Sequence, residues 1–385
     1  MQRTAVGWLL PALAIAGCIG TAAAQSAGEA MAQAPPTLLE RVNHHRGMAG
    51  LPPVSDDPRV AAAAQSHAQY MADTGQLSHV QMDRTSSHFS GSTLEDRLRK
   101  AGVQFARSGE AVGLASQSSP ETVVDDLITT VYHRLLLLSR GFDRAGAGVA
   151  RGAQSGIDAV YVAIDFTGEK SVEGGVDATV YPIAGQAEVG VDFDPATETP
   201  NPLPEHELAG QPVTIQVGGN RRLVIERFTL TPEGGAAPVE ARVLTQSDDL
   251  QMPEWAAALV PLQPLAPGTA YRAEFVGSVA GVPLTQRWRF TTAASRAVRM
   301  SFAQAVVPAG GTQVIRLRNL DRTSSYYLCY EPAELVRATR QQAFGRFAMT
   351  VNRCPPGGRC VVNVVAARDE ACADPLARGS FGVGG

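Results

Sequence analysis

Residues 120–150 read PETVVDDLITTVYHRLLLLSRGFDRAGAGVA, and this stretch indicates the fold of the N-terminal third of the chain. The apolar residues that recur in it at helical spacing are Val123, Val124, Leu127, Ile128 and Val131. After the Ser119–Pro120 start they predict one helix that ends near His133. The glycine-punctuated segment Gly146–Ala150 then predicts a β-strand.

Outward from this stretch, three further helices are predicted before it and one strand after it. Each helix combines apolar helical spacing with a capping residue or a glycine stop, and the third adds Glu95 three residues after Ser92. The predicted start and stop signals are Leu38 and Gly50, Asp57–Pro58 and Gly75, and Ser92 and Gly102. The Val/Ile/Tyr-rich segment 159–166 predicts a second strand. Four helices followed by strands favour a sheet that is sandwiched by helices.

Length and charge limit the possible function. A chain of 385 residues with 44% hydrophobic and 18% charged residues can form two or three domains with buried cores. The formal net charge is −4 and the cations form no basic block, so nucleic acid is not an expected partner.

The N-terminus reads as an export signal. Arg3 precedes a short apolar run, 5–17, which is too short for a permanent membrane span. Two cleavage sites remain open: signal peptidase after Ala24, giving a signal peptide 1–24, or a lipobox that would leave Cys18 lipidated. Residues 25–36 read as a linker. No later stretch is apolar enough to span a membrane, so we expect a periplasmic, extracellular or lipid-anchored protein.

The other four cysteines fit an exported protein. They are Cys329, Cys354, Cys360 and Cys372, an even set confined to the C-terminal quarter. In an oxidising compartment such a set predicts two disulfides, with three possible pairings. A zinc site is the alternative, although the set has no CxxC pair and no nearby histidine.

After Gly168 the patterning changes to short strands separated by turns. Residues 171–209 read as a boundary segment that carries a first strand or two, 210–293 as a β-sandwich and 294–385 as a small, disulfide-containing, β-rich domain. The candidate strands of the sandwich are 213–217, 223–230, 239–244, 271–276 and 286–290.

Six of the seven histidines lie in the N-terminal region, and two of them are considered with one carboxylate as a candidate site. His79 follows a helix stop, Glu110 lies in a short strand or turn, and His133 ends the fourth helix. Two imidazoles and a carboxylate can bind Zn²⁺, but spacing alone does not bring these residues together. His67 lies on the buried side of an Ala-rich helix, which predicts a hydrogen-bonded core histidine.

Several of these motifs together resemble the CAP superfamily of cysteine-rich secretory, antigen-5 and pathogenesis-related proteins. The matching stretches are Leu38–Arg46, Gly50–Pro58, Leu77–His79, Gly109–Glu110, His133–Arg134 and Gly146–Ala150. The resemblance implies an α-β-α sandwich over 37–170, with a cleft that carries a His/Glu/Glu/His tetrad. His79, Glu110 and His133 would take three of its places. The departures are Ala111 for the Asn of Gly-Glu-Asn, Leu127 for a Trp and Thr130 for the second Glu, with Asp126 as a possible substitute.

The segment 210–293 resembles bacterial Ig-like domains. Pro267–Gly268–Thr269 forms a turn before the strand that bears Tyr271, and Trp288–Thr292 resembles the closing strand. Such a domain would serve as a spacer or adhesion module, or as an inert stabilising domain.

These features favour a CAP-type binding protein over an enzyme, and no catalytic residue is assigned. Its ligand would be a cell-envelope component, a small apolar molecule or another protein. One alternative is a metal-dependent envelope hydrolase acting on peptide or glycan, with zinc held by His79, Glu110 and His133. The other is a structural surface protein whose cleft is a relic.

Overall fold

The structure is a computed structural model. It describes residues 37–115, 120–154, 157–168, 177–218, 221–294, 298–302, 306–318, 320, 324–343, 345–355 and 360–384. The export signal, Cys18, the linker 25–36, the helix start at Ser119 and part of the boundary segment lie outside these residues, so those predictions stay predictions.

The N-terminal domain consists of five short helices and one four-stranded sheet. The helices are α1 (Leu38–Met48), α2 (Pro58–Thr74), α3 (Leu94–Lys100), α4 (Thr122–Leu127) and α5 (Tyr132–Leu137). The strands are β1 (Ser55–Asp56), β2 (Arg107–Ala115), β3 (Arg144–Gln154) and β4 (Ile157–Gly168), in the order β1-β3-β4-β2. The expected sheet between helical layers is therefore present.

Two separate cores show which helices cover which face of the sheet. Alternate residues of β4 point to opposite faces. Tyr161 and Ala163 pack with α2 residues, whereas Val162 and Ile164 pack with residues of α1, α4 and α5. Helix α2 lies so close to β3 that a Cβ at Gly146 would be 2.0 Å from the backbone nitrogen of Ala61. Glycine is required there because only hydrogen fits between strand and helix.

The start and the end of α2 agree with the sequence prediction, whereas the start of α3 differs by one residue. Asp57 caps α2, and Gly75 ends it with a left-handed φ of 67°. The third helix begins one residue later than predicted. Thr93 rather than Ser92 is its cap, and Asp96 rather than Glu95 completes the capping box.

The fourth predicted helix is broken into α4 and α5, which corrects the prediction of one continuous helix. The hydroxyls of Thr129 and Thr130 donate to the carbonyls of Asp126 and Leu127, at 2.7 and 2.8 Å. Such bonds compete with helix hydrogen bonding. The backbone N–H groups of Val131 and Tyr132 donate instead to the carboxylate of Glu198, at 2.8 and 2.7 Å.

Within the described residues, the middle domain has seven strands in its two main sheets and a separate two-stranded sheet beside them. Its strands are β5 (Ala178–Tyr181), β6 (Asp192–Phe193), β7 (Ala209–Gly210), β8 (Val213–Val217), β9 (Leu223–Pro232), β10 (Ala241–Leu244), β11 (Ala256–Pro261), β12 (Ala270–Val279) and β13 (Val282–Thr291). The main sheets run β10-β11-β8-β5 and β13-β12-β9, the strand order of a constant-type immunoglobulin domain, and β6 pairs with β7. The hydroxyl of Tyr271 accepts the backbone N–H of Ala266 at 2.8 Å, as in the tyrosine corner of that fold.

One strand of this domain was expected only in outline, and another was not expected. Strand β5 lies in the boundary segment, where the sequence predicts a first strand or two, so the sheet begins before residue 210. Strand β11 has no predicted counterpart, because it is buried on both faces and shows no polar alternation.

The C-terminal domain has two four-stranded sheets around one core. Its strands are β14 (Arg299–Phe302), β15 (Val306–Val307), β16 (Thr312–Arg318), β17 (Tyr327–Glu331), β18 (Val336–Ala343), β19 (Arg346–Val351), β20 (Cys360–Ala367) and β21 (Pro375–Val383). The sheets run β14-β16-β19-β18 and β15-β21-β20-β17. The predicted disulfides are confirmed, with Cys329 bonded to Cys372 and Cys354 to Cys360.

Residues 182–212, here called the linking segment, contact both neighbouring domains. Phe193, Leu203 and Ala209 share a core with Val131 and Leu135 of the N-terminal domain. On the C-terminal side, Arg316 Nε lies 2.6 Å from Asp194 Oδ2 and Arg346 Nη1 lies 2.9 Å from Glu207 Oε1. The segment is therefore a structural junction, beyond its expected role as a boundary.

Among the residues that the structure describes, no helix has the length and apolar character needed to cross a membrane.

Candidate functional site

The loop between α2 and α3, residues 75–93, is held by hydrogen bonds to two buried side chains of α2, His67 and Tyr70. Its own buried Gln81 takes part in these bonds. His67 donates from Nε2 to the carbonyl of Ser78 at 2.7 Å and accepts at Nδ1 from the Gln81 amide at 3.1 Å. The hydroxyl of Tyr70 accepts the backbone N–H groups of Met82 and Asp83, at 2.9 and 2.7 Å. The loop therefore has a defined shape although it contains no regular structure.

His79 extends from this loop and contacts Glu110 of β2. Its Nδ1 lies 2.8 Å from Glu110 Oε1. The His79 side chain is 54% exposed, whereas that of Glu110 is 3% exposed. Fully buried Arg97 of α3 donates to the other oxygen, Oε2, of Glu110 and also to the carbonyl of His79 at 3.1 Å. An imidazole at the surface is thus held from behind by a buried ion pair.

Burial and neighbouring charges shift the pKa values of this cluster in different directions. Burial would raise the pKa of Glu110, but the hydrogen bond from His79 and the charges of His67 and Arg97 lower it. Burial and the adjacent Glu110 charge raise the pKa of Asp165 well above its usual range. Burial lowers the pKa of His67 to about 4. At neutral pH, Glu110 is therefore ionised and His67 is neutral.

Exposed apolar side chains flank His79 in the same loop. Leu77 is 42% exposed, Val80 41% and Met82 81%. Scattered single apolar residues need no explanation, but three within six residues, beside a polar anchor, can contact an amphipathic ligand.

His133 does not join the His79–Glu110 pair. On β2, Gly109 faces α5, since a Cβ there would lie 2.4 Å from Leu136 Cδ1, so Glu110 points to the other face. His133 lies on α5, where its Nδ1 is 3.1 Å from the Thr130 hydroxyl and 3.4 Å from Glu198 Oε1. The two histidines that the sequence placed in one cleft belong to helical layers on opposite faces of the sheet.

Asp126, the suggested substitute for the missing Glu, is exposed on α4 in the same layer as His133. Its neighbour Asp125 contacts Arg41 Nε at 2.7 Å and His45 Nε2 at 2.8 Å. Neither aspartate is on the face of the sheet that carries Glu110.

A zinc site requires three or four ligands that point to one centre. Across the described parts of the chain, no three His, Cys, Asp or Glu side chains form a group that could hold a metal ion. His79 Nδ1 and Glu110 Oε1 are also hydrogen-bonded directly to each other, so neither atom is available to a metal ion. The residues present therefore do not fit the three-ligand zinc site that the resemblance implied.

The comparisons with known proteins agree with this fold. A sequence model of the cysteine-rich secretory protein family, CAP, matches residues 39–166. The N-terminal domain is a CAP domain. The resemblance inferred from its motifs is thereby confirmed.

Several solved structures are similar to parts of the chain. An SCP-domain extracellular protein from Bacillus anthracis str. Ames has 26% identity over 34% of this chain, with a TM-score of 0.28, and this chain covers 39% of it. An outer surface protein from Borrelia burgdorferi has 20% identity over 34% of this chain and 90% of its own, with a TM-score of 0.28. The Ig1-2 module of a Drosophila receptor tyrosine phosphatase has 11% identity over 54% of this chain and 97% of its own, with a TM-score of 0.18. No curated protein matches the chain.

Sequence reasoning did not find Arg97, Asp165 or Glu198. Asp165 could have been predicted as a buried acidic residue, because it is the one charged residue within the apolar run Ala159–Phe166. Arg97 lies in a charged helix and looked like a solvated residue. Glu198 lies 65 residues after His133 in an unpatterned segment, so nothing local linked the two.

Proposed function

We propose that this is an exported envelope protein whose CAP domain binds a ligand through the surface around His79. This surface, here called the His79 face, consists of His79, Leu77, Val80 and Met82. The observation that carries the proposal is the exposed imidazole fixed by buried Glu110, with apolar side chains on both sides of it.

The chemistry of the His79 face favours an amphipathic envelope component. Because Nδ1 donates to Glu110, the Nε2 atom of His79 can accept a hydrogen bond or, when protonated, donate one. Leu77, Val80 and Met82 can bury apolar groups of the same ligand, and each fully buried side chain of this kind contributes about 1.5–3 kcal/mol. The matched extracellular and outer surface proteins have locations in keeping with this role.

The other two hypotheses have less support. A metal-dependent hydrolase needs His133 beside His79, and these residues lie on opposite faces of the sheet. A purely structural role is supported by the packing of the linking segment against two domains, but it leaves the exposed apolar side chains around His79 without a purpose.

Co-sedimentation with purified cell-wall sacculi and with phosphatidylethanolamine–phosphatidylglycerol vesicles tests the proposal. The chain should lack Cys18, so that an attached lipid cannot contribute. We expect the wild type to co-sediment with one of these, and His79→Ala and Met82→Ser each to reduce the bound fraction. Met48→Ser, which changes an exposed methionine on α1, is the matched control. Equal binding by all four proteins would remove the His79 face from consideration.

A further inference from the structure

A cavity of about 670 Å³ opens where the CAP domain meets the middle domain. It is far from the His79 face in the fold, because it is bounded by α5, the linking segment, β10 and the 248–251 loop. Its volume falls within the range of ligand-binding cavities, roughly 300–1,000 Å³, and domain junctions are frequent places for such sites.

One part of the cavity is apolar. Pro200, Pro202 and Pro204 of the linking segment lie along it, and Tyr132 of α5 lies beside them. Leu250 stands at the same cavity with 91% of its surface exposed, the highest value among the exposed large apolar side chains of the described residues. Proline lacks an N–H donor, so this wall offers contact area and few hydrogen bonds.

The other part of the cavity carries an excess of negative charge. Glu205 is paired with Arg242, so these two charges offset each other. Asp249 accepts the Tyr132 hydroxyl at 2.5 Å, and Asp248 accepts the Thr245 hydroxyl at 2.6 Å. Among the described residues, no cationic side chain forms an ion pair with either aspartate. An anionic ligand is therefore disfavoured, and a cation next to an apolar group would complement the cavity.

We propose that this cavity binds an extended cationic peptide segment, with an arginine or lysine side chain against Asp248 and Asp249 and a neighbouring apolar side chain on the proline wall. Both domains contribute to the site, because Tyr132 belongs to the CAP domain and Asp248 and Asp249 belong to the middle domain. It is separate from the His79 face, so either proposal can fail without the other.

Fluorescence anisotropy with a fluorescein-labelled peptide of alternating leucine and arginine tests the inference on the full exported chain. We expect binding that weakens as salt is added, and no binding of the same peptide with glutamate in place of arginine. Asp248→Asn and Leu250→Ser should each weaken binding about fivefold, the effect of losing about 1 kcal/mol. Both residues are exposed, so the variants should fold normally.

Three controls make the outcome decisive. Glu226→Gln and Val282→Ser change an exposed charge and an exposed apolar residue elsewhere in the same domain, and should bind as the wild type does. His79→Ala should also bind normally. The inference is overturned if the glutamate peptide binds equally well, if Asp248→Asn and Leu250→Ser have no effect, or if free benzylamine displaces the peptide at equal concentration, which would indicate a small-amine site.

Discussion

Glu110 is the residue on which the His79 face depends, since it joins an exposed imidazole to a buried guanidinium. Removing one partner of a buried ion pair destabilises a protein by about 3–5 kcal/mol, because the other charge stays buried with no opposite charge beside it. The charge of Glu110, together with burial, also raises the pKa of neighbouring Asp165.

Glu110→Gln should lower the free energy of unfolding by about 3 kcal/mol, because buried Arg97 then loses the carboxylate to which it donates. Urea denaturation followed by circular dichroism measures the change. Glu95→Gln is the control, since Glu95 is more exposed and accepts one bond from Ser108. Equal stability of both variants would mean that Glu110 does not compensate Arg97.

His67 predicts a loss of stability in acid. Burial lowers its pKa to about 4 in the folded chain from 6.5, so the unfolded chain binds the proton first as the pH falls. The stabilisation is complete above about pH 6.5 and is lost between about pH 6.5 and 4, to an extent of about 3 kcal/mol.

Comparison of His67→Gln with the wild type at pH 7 and pH 4.5 checks this expectation. The variant should lose less stability between the two pH values than the wild type does. His88→Gln changes a histidine that is 41% exposed and should follow the wild type. A variant with the wild-type pH dependence would contradict a neutral, buried His67.

Among the elements, the sheet of the CAP domain carries Glu110, which contacts His79, and it separates this pair from His133. Alternation along β2 places Glu110 with α2 and α3, and places its neighbours Gly109 and Ala111 with α1, α4 and α5. One strand therefore serves two separate surfaces. The sequence could predict the strand texture around Glu110, but the side that each residue faces depends on register and on which helix covers which face.

The close packing of α2 on β3 gives a prediction at this scale. Gly146→Ala should destabilise the chain by about 3 kcal/mol, because its Cβ would overlap the backbone of α2. Gly47→Ala on α1 has no atom within 4 Å of the added carbon and should stabilise by about 1 kcal/mol. Thermal unfolding of the two variants checks the contrast, and a neutral Gly146→Ala would contradict this packing.

Helices were predictable where their determinants were local. The cap at Asp57 and the stop at Gly75 directly flank the helix that they limit, and the sequence predicts both. The break between α4 and α5 was not, because Glu198, which accepts the first N–H groups of α5, comes from another domain. Likewise, the pairing of His79 with Glu110 followed from the family resemblance, whereas the separation of His133 required the structure.

For the whole molecule, the linking segment holds the CAP domain against the middle domain. Glu198 is buried and accepts two backbone N–H groups of α5, and Arg134 donates to the Pro212 carbonyl at 2.7 Å. Burial lowers the pKa of Arg134 to about 10, so it stays charged at neutral pH. These contacts should make the stability of the CAP domain depend on the middle domain.

Glu198→Gln should uncouple the two domains, because an amide accepts fewer and weaker hydrogen bonds than a carboxylate. We expect differential scanning calorimetry to show an earlier, separate transition for the CAP domain, and trypsin to cut sooner near residue 134. Glu205→Gln, an exposed change in the same segment, should leave the melting profile unchanged. A single unchanged transition in Glu198→Gln would show that apolar contacts alone hold the junction.

The separation of His79 and His133 by the sheet is tested most directly by a zinc titration of the full chain in an isothermal calorimeter. The structure predicts that no site of one zinc per chain depends on both histidines, so His79→Ala and His133→Ala should give the same titration as the wild type. One tight zinc per chain that is lost in either variant would contradict the arrangement, because it would require His79 and His133 to meet at one centre.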